Sequence, residues 1–228
     1  MEFKFCGITR PVDASLAADL GASYVGVIFA QSPRQVDEMR ARAIFDATAS
    51  RVGHVAVFGR APNDVIESKA KAAGANVVQL HGNPTVPEIK ELRRRFDGQL
   101  WAVVCVERDA AFVPEHAFEL GQVADAILID TSVGERSGGT GQTIEWARVA
   151  ESIDRLAERT KVIVAGGLNP ENVRLAIETL RPSMVDVSSG IEASQGIKDP
   201  RRMKAFAEAV RSASIVGRRS TPSSASEA

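Results

Sequence analysis

The sequence predicts an α/β protein of the (β/α)8 barrel class, and three observations predict it. Short β-branched runs recur along the chain, each followed by a longer amphipathic stretch, which is the pattern of βα units around a parallel sheet. Eight such units can be counted, and nearly all the runs are continuously apolar, as strands covered on both faces should be. Unit spacing of about 20 to 35 residues, eight times over, suits a closed barrel, whereas an open doubly wound sheet usually stops at five or six strands. Composition alone does not decide: 228 residues with 44% hydrophobic content could form one large barrel or two small domains.

The strands are predicted at Phe3 to Gly7, Tyr24 to Phe29, Val52 to Phe58, Val77 to Leu80, Leu100 to Val106, Ala126 to Ile129, Lys161 to Ala165 and Met184 to Val187. Helical periodicity lies between them at Asp13 to Leu20, Asn63 to Ala73, Pro87 to Phe96, Ile144 to Leu156, Pro170 to Leu180 and Pro200 to Val210. Asn169-Pro170 and Asp199-Pro200 each put a capping side chain before a first-turn proline. The weakest unit runs from Glu107 to Gln122, where Pro114 interrupts the pattern and Gly121 ends it, leaving room for a short helix. The apolar period fades from Ser212 onward, and Ser220 to Ala228 is rich in serine, proline and alanine. The expected organisation is one barrel over residues 1–212 and a disordered tail over 213–228.

A formal charge of −1, from 28 basic and 29 acidic residues, gives no electrostatic reason to expect nucleic acid or an anionic membrane as partner. No apolar run approaches the roughly 20 residues that cross a bilayer, and no signal-peptide core precedes the first strand, so a cytoplasmic protein is expected. Cys6 and Cys105 are too few for a disulfide framework and stand in no metal-ligand spacing.

In such a barrel, chemistry belongs to the C-terminal strand ends and the loops beyond them. Strand seven leads into Gly166-Gly167 and strand eight into Ser188-Ser189-Gly190, which is where this architecture commonly binds phosphate; a short helix expected near Ile191 would add its positive end. Glycine and serine also favour plain tight turns, but two such loops in adjacent units favour an anion site. Cys6 ends strand one, where a thiol could serve as base or nucleophile, although an inert buried cysteine is the commoner fate of the residue type. Asp130 ends the apolar run Ile127-Leu128-Ile129, a costly position for a carboxylate without a purpose, a helix cap or loop ion pair being the bland one. Arg34, stiffened by Ser32-Pro33, suits bidentate grip of a carboxylate. His81 has no second ligand at metal spacing, so packing or substrate orientation is expected of it and no metal site. Gly138-Gly139-Thr140-Gly141 after strand six suggests a close-approach loop or an ordinary flexible connection.

Lys4-Phe5-Cys6-Gly7-Ile8-Thr9, Ser32-Pro33-Arg34, Gln79-Leu80-His81-Gly82, Gly138-Gly139-Thr140-Gly141, Ala165 to Val173 and Asp186 to Glu192 together resemble the sequence blocks of the phosphoribosylanthranilate isomerase family, in the family's order and over nearly the whole chain up to the tail. The chain departs from them at Ile144-Glu145, where the family more often has an aromatic residue and aspartate. The resemblance implies a TIM barrel of the tryptophan pathway that carries out an Amadori rearrangement with no metal or organic cofactor. It implies Asp130 as general acid, Cys6 as general base, Arg34 on the anthranilate carboxylate, and His81, Gly141, Gly166, Gly167, Ser188, Ser189 and Gly190 around the phosphorylated aminosugar. A monomer or homodimer acting on that small molecule is expected. The competing expectations are a related aminoaldose isomerase of histidine synthesis, which an acid in place of Cys6 would favour, and a non-catalytic sugar-phosphate-binding barrel, which would have no use for both Cys6 and Asp130.

Overall fold

The computed structural model describes residues 1–48, 51–107, 110–131 and 146–217, with side-chain environments up to residue 213. Its strands are β1 (Glu2–Phe5), β2 (Tyr24–Ile28), β3 (Gly53–Phe58), β4 (Val77–Leu80), β5 (Gln99–Cys105), β6 (Ala126–Asp130), β7 (Lys161–Ala165) and β8 (Met184–Val187). Helices α1 (Pro11–Asp19), α2 (Glu38–Asp46), α3 (Asn63–Ala73), α4 (Val86–Arg93), α5 (His116–Leu120), α6 (Trp146–Ala157), α7 (Val173–Leu180) and α8 (Pro200–Gly217) follow them in turn. Every strand pairs in parallel with the next, and β1 pairs with β8 from Glu2 opposite Met184 to Phe5 opposite Val187, which closes the barrel.

Alternation along each strand divides the side chains into two cores. Phe3, Phe5, Ala56, Phe58, Leu100, Ala102, Val104, Ile127, Ile129, Val185 and Val187 point outward and pack under the helices. Phe206 of α8 meets Phe3 and Phe5 at ring-centroid distances of 6.4 and 6.0 Å, tying the last helix to the first strand. Truncating a buried phenylalanine in such a seam costs about 3 to 5 kcal/mol. Val55, Val57, Val77, Trp101, Val103, Ala126, Leu128, Ile163 and Met184 point inward. The fully buried Trp101 meets Tyr24 edge to face at 4.8 Å within this inner core, so the lumen is filled rather than open. The same parity turns Lys4 and Cys6, Asp130, and Asp186 toward the barrel axis, which is why polar groups at these positions converge.

Several local expectations are corrected. α7 begins at Val173 rather than Pro170, because the Asn169 side chain accepts from the N–H groups of Glu171 and Asn172 in a turn of its own before the helix starts. α4 begins at Val86, where Thr85 and Glu88 form a capping box. β6 extends one residue to include Asp130. α2 and an antiparallel hairpin of β9 (Glu192–Ser194) and β10 (Ile197–Lys198) were not anticipated. α8 continues to Gly217, past the residue-212 boundary, and the residues beyond Gly217 lie outside those described. The Asp199 cap on α8 is present, accepting from the N–H of Arg201 at 2.7 Å. The short helix expected in the weakest unit is α5. Among the described residues no helix is long and apolar enough to cross a membrane.

Candidate active site

Cys6 follows β1 directly and its N–H donates to Val187 O at 2.8 Å, so the strand-like path, and with it the inward parity of the sulfur, carries on past Phe5. The residue is 7% exposed. Beneath it, Lys4 is fully buried and its Nζ donates to Asp186 Oδ2 at 2.9 Å. Gly26 of β2 supplies the space: a Cβ there would stand 2.9 Å from Lys4 Cε, 3.3 Å from Lys4 Nζ and 3.2 Å from Cys6 Sγ. Burial pushes the Cys6 thiol up, and the Lys4 ammonium opposes that push. Burial also works against the charge on Lys4, but Asp186 and Cys6 outweigh it and hold the ammonium above the ordinary lysine range.

Arg34 does not extend freely from its loop. Its Nε and Nη2 donate to Glu192 Oε1 and Oε2 at 2.6 and 2.8 Å, a bidentate pair on one edge of the guanidinium. Glu192 also accepts from Lys198 Nζ at 3.0 Å, and that ammonium donates in addition to Ser188 O at 2.9 Å. The β9–β10 hairpin makes this possible, because its register sets Lys198 opposite Glu192. Burial works against ionisation of Glu192, yet Arg34 and Lys198 together hold its carboxyl below the usual range. Gly7, at φ +66°, lies against this group: a Cβ would meet Arg34 Cδ at 2.7 Å and Ser188 Oγ at 2.8 Å. The ends of β1 and β8 and the loop after β2 therefore meet at one point of the mouth.

The glycine-rich loop after β7 and the serine- and glycine-containing loop after β8 are adjacent as expected. Gly166 and Gly167 have φ of 92° and 65°, which glycine adopts without strain. Gly190 lets the β8 end press on the β7 loop, since a Cβ there would fall 1.9 Å from Leu168 O. The Ser188 hydroxyl is buried without a hydrogen-bond partner among the described residues, and Ser189 is exposed at the rim. The helix expected near Ile191 is instead a single 3-10 turn, Ser189–Ile191, because Glu192 is extended and enters the hairpin.

Across the mouth, Asp130 ends β6 with its side chain on the inward parity of Ala126 and Leu128, and it is partly exposed. The neighbouring Thr131 donates from Oγ1 to Ala165 O and Gly166 O at 3.0 and 3.1 Å, fastening the end of β6 to the start of the β7 loop. The buried Asp186 lies within electrostatic range of Lys4 and Asp130, and so connects the two sides. His81 follows β4 and is exposed. Gly141, with the rest of Gly138–Gly141 and Ile144-Glu145, lies outside the described residues. Among the described residues no group of three or more His, Cys, Asp or Glu side chains could hold a metal ion.

A family model described as N-(5'-phosphoribosyl)anthranilate (PRA) isomerase matches residues 3–209. The chain belongs to the N-(5'-phosphoribosyl)anthranilate isomerase family. It is 36% identical over 212 residues to the isomerase of Pseudomonas fluorescens, covering 92% of this chain and 96% of the relative, and 37% identical over 221 residues to that of Methanopyrus kandleri, covering 92% and 98%. The crystal structure of phosphoribosyl anthranilate isomerase from Thermotoga maritima superposes with a TM-score of 0.83 at 34% identity, covering 93% of this chain and 99% of that one. A crystal structure of a phosphoribosyl anthranilate isomerase in complex with reduced 1-(o-carboxyphenylamino)-1-deoxyribulose 5-phosphate matches with a TM-score of 0.79 at 32% identity, covering 93% and 99%.

This isomerase barrel brings Cys6, Arg34, Asp130, Gly166, Gly167, Ser188, Ser189 and Gly190 to one mouth. Lys4, Asp186, Glu192 and Lys198 are not among the residues that the sequence singles out for chemistry. A signal existed for the first two: each is a charge flanked on both sides by apolar strand residues, Phe3-Lys4-Phe5 and Val185-Asp186-Val187, where an unpaired charge would be costly.

Proposed function

We propose that this chain converts N-(5-phosphoribosyl)anthranilate to 1-(2-carboxyphenylamino)-1-deoxyribulose 5-phosphate, the Amadori rearrangement of tryptophan biosynthesis. The observation that carries this reading is the sharing of one barrel mouth by a desolvated thiol, Cys6, and a strand-terminal carboxyl, Asp130, each on the inward parity of its strand. The reduced product analogue bound by the solved relative supports it, since that ligand carries a carboxylate, an aryl amine and a phosphate.

Asp130 in its acid form protonates the furanose oxygen, and the C1–O bond breaks to give an iminium with a free hydroxyl at C4. The iminium acidifies the proton on C2, and the Cys6 thiolate removes it, leaving an enolamine that tautomerises to the ketone. No electron leaves or enters the substrate overall, because C1 is reduced as C2 is oxidised. Cys6 suits its role because water is excluded from its sulfur while the Lys4 ammonium lies beside it. Asp130 suits an acid because it borders solvent, from which it can be reprotonated.

Arg34 receives the anthranilate carboxylate on the guanidinium edge that Glu192 does not occupy. The phosphate enters between Gly166-Gly167 and Ser188-Ser189, where the Ser188 hydroxyl gains the partner it lacks, and Gly190 keeps the two loops in contact. Fixing both ends of the substrate orients C1 and C2 between acid and base. His81 and Gly141, the latter outside the described residues, are assigned to the substrate in this reading. The Thermotoga maritima relative is described as dimeric, and monomers of it have also been crystallised; every site residue described here comes from one chain, so a monomer or a homodimer would serve.

Loss of phosphoribosylanthranilate fluorescence on adding purified protein tests the reading. Turnover is the expected result. Tight binding of the reduced product analogue with no turnover would instead make the chain a sugar-phosphate-binding barrel.

A further inference from the structure

A buried lysine needs a reason, because placing an ammonium inside a barrel core costs several kcal/mol unless other groups compensate it. Apolar residues fill the inward positions around Lys4, so an aliphatic side chain would pack there at lower cost. The residue instead reaches Asp186 of β8 at 2.9 Å, and on the β2 side it shares with the sulfur of Cys6 the space that Gly26 leaves. The proposed reaction uses Cys6, takes Lys4 only as a neighbour of its sulfur and gives Asp186 no part.

We infer that Lys4, held in place by Asp186, is a positioning residue that orients the Cys6 sulfur and compensates the negative charge of its thiolate. The inference rests on Cys6 being the base of the proposed reaction. Asp186 has a double effect. It fixes the direction of the Lys4 side chain, and it also cancels part of the cation's field, which keeps the thiolate basic enough to take a proton from carbon. A fully uncompensated ammonium would stabilise the thiolate so well that it became a poor base; no cation at all would leave the thiol protonated in its dry pocket.

The charged groups that face the sulfur are known from every side. Lys4 comes from β1, Asp186 from β8, Lys198 from β10, and Arg34 from the loop after β2. Glu192 pairs with both of the last two, leaving one positive charge between them, and Asp130 faces Asp186 from β6. Lys4 and Asp186 are therefore the pair whose removal acts on Cys6 with opposite signs.

The test is the pH dependence of Cys6 alkylation by iodoacetamide, read by peptide mass spectrometry so that the exposed Cys105 is scored separately. Lys4→Met is expected to move the alkylation midpoint of Cys6 up by about one to two pH units. It should lower kcat at neutral pH by at least about tenfold, with KM changed much less. Asp186→Asn should move the midpoint down, which loss of packing alone would not do. Gly26→Ala removes no charge but inserts a methyl between Lys4 and Cys6, and should reproduce the upward shift in weaker form. Should Lys4→Met fail to fold, the double variant Lys4→Met/Asp186→Asn removes both charges together, keeps the volume, and is expected to show the upward shift. Midpoints unchanged from wild type in the folded variants would overturn the inference. Full turnover by Cys6→Ala would instead overturn the assignment of the base, so the two failures are distinguishable.

Discussion

On the β1–β2–β8 side of the barrel mouth, Lys4, Arg34 and Lys198 interleave with Asp186 and Glu192, so the described ion pairs leave one positive charge in excess beside Cys6. On the β6 side, Asp130 ends its strand partly exposed, next to Thr131 and opposite Cys105 in the β5 register. The first side is dry and strongly cross-linked; the second borders solvent. The difference suits the two proposed proton transfers, in which a thiolate is generated and kept from water whereas a carboxylic acid is resupplied with protons. Burial also pushes the Cys105 thiol up, with Asp130 adding to the effect, whereas at Cys6 the Lys4 ammonium opposes the push of burial. One ring of strand ends therefore carries two environments: inward parity brings Lys4, Cys6, Asp130 and Asp186 to them, and the loop after β2 and the β9–β10 hairpin add Arg34, Glu192 and Lys198.

Removing the acid gives the largest effect expected from the solvent side. Asp130→Asn should lower kcat about 100- to 10,000-fold, the range typical of a lost general acid, while the affinity for the reduced product analogue, measured by calorimetry, changes little. An analogue affinity that collapsed together with the rate would mean that Asp130 serves binding, and the contrast between the two sides would lose its meaning. On the cross-linked side, Arg34→Ala should raise KM as well as lower kcat, by about tenfold or more, as expected for a lost charged contact to a carboxylate. Glu192→Gln should produce a smaller change in the same direction, because Arg34 stays in place but its bidentate partner is weakened. An unchanged KM in Arg34→Ala would count against the carboxylate assignment. The smallest effect is expected at His81, which is exposed at the end of β4. His81→Ala should alter kcat/KM by less than about tenfold, in keeping with a loss of orienting contacts alone; a larger loss would give the β4 side a share in the chemistry.

Strand positions were legible because parallel barrel strands are apolar on both faces, and strand ends then offered Cys6 and Asp130 as candidates, whose roles came from the family resemblance. The close approach of the loops after β7 and β8 was legible for a similar reason: glycines at Gly166, Gly167 and Gly190 answer to backbone conformation or close approach, which are local needs. What stayed hidden depends on distant pairing. Arg34 and Glu192 are 158 residues apart, and no periodicity announces that one will grip the other. Lys198 reaches Glu192 through a hairpin of five strand residues around Gly196, too short to leave a strand pattern, and the same hairpin replaced the helix expected near Ile191. The start of α7 was misplaced because Asn169 can cap a turn as readily as a helix. The role of Gly141 stays with the sequence reading, since the residue lies outside those described.

Single-turnover decay of phosphoribosylanthranilate fluorescence in Cys6→Ala, with the affinity for the reduced product analogue measured alongside, tests the central claim most directly. With the sulfur gone from the dry side of the mouth, substrate should still bind within about threefold of wild type but decay at least about 100-fold more slowly. A decay rate close to that of wild type would mean that the proton on C2 leaves by another route, contradicting the account of this site.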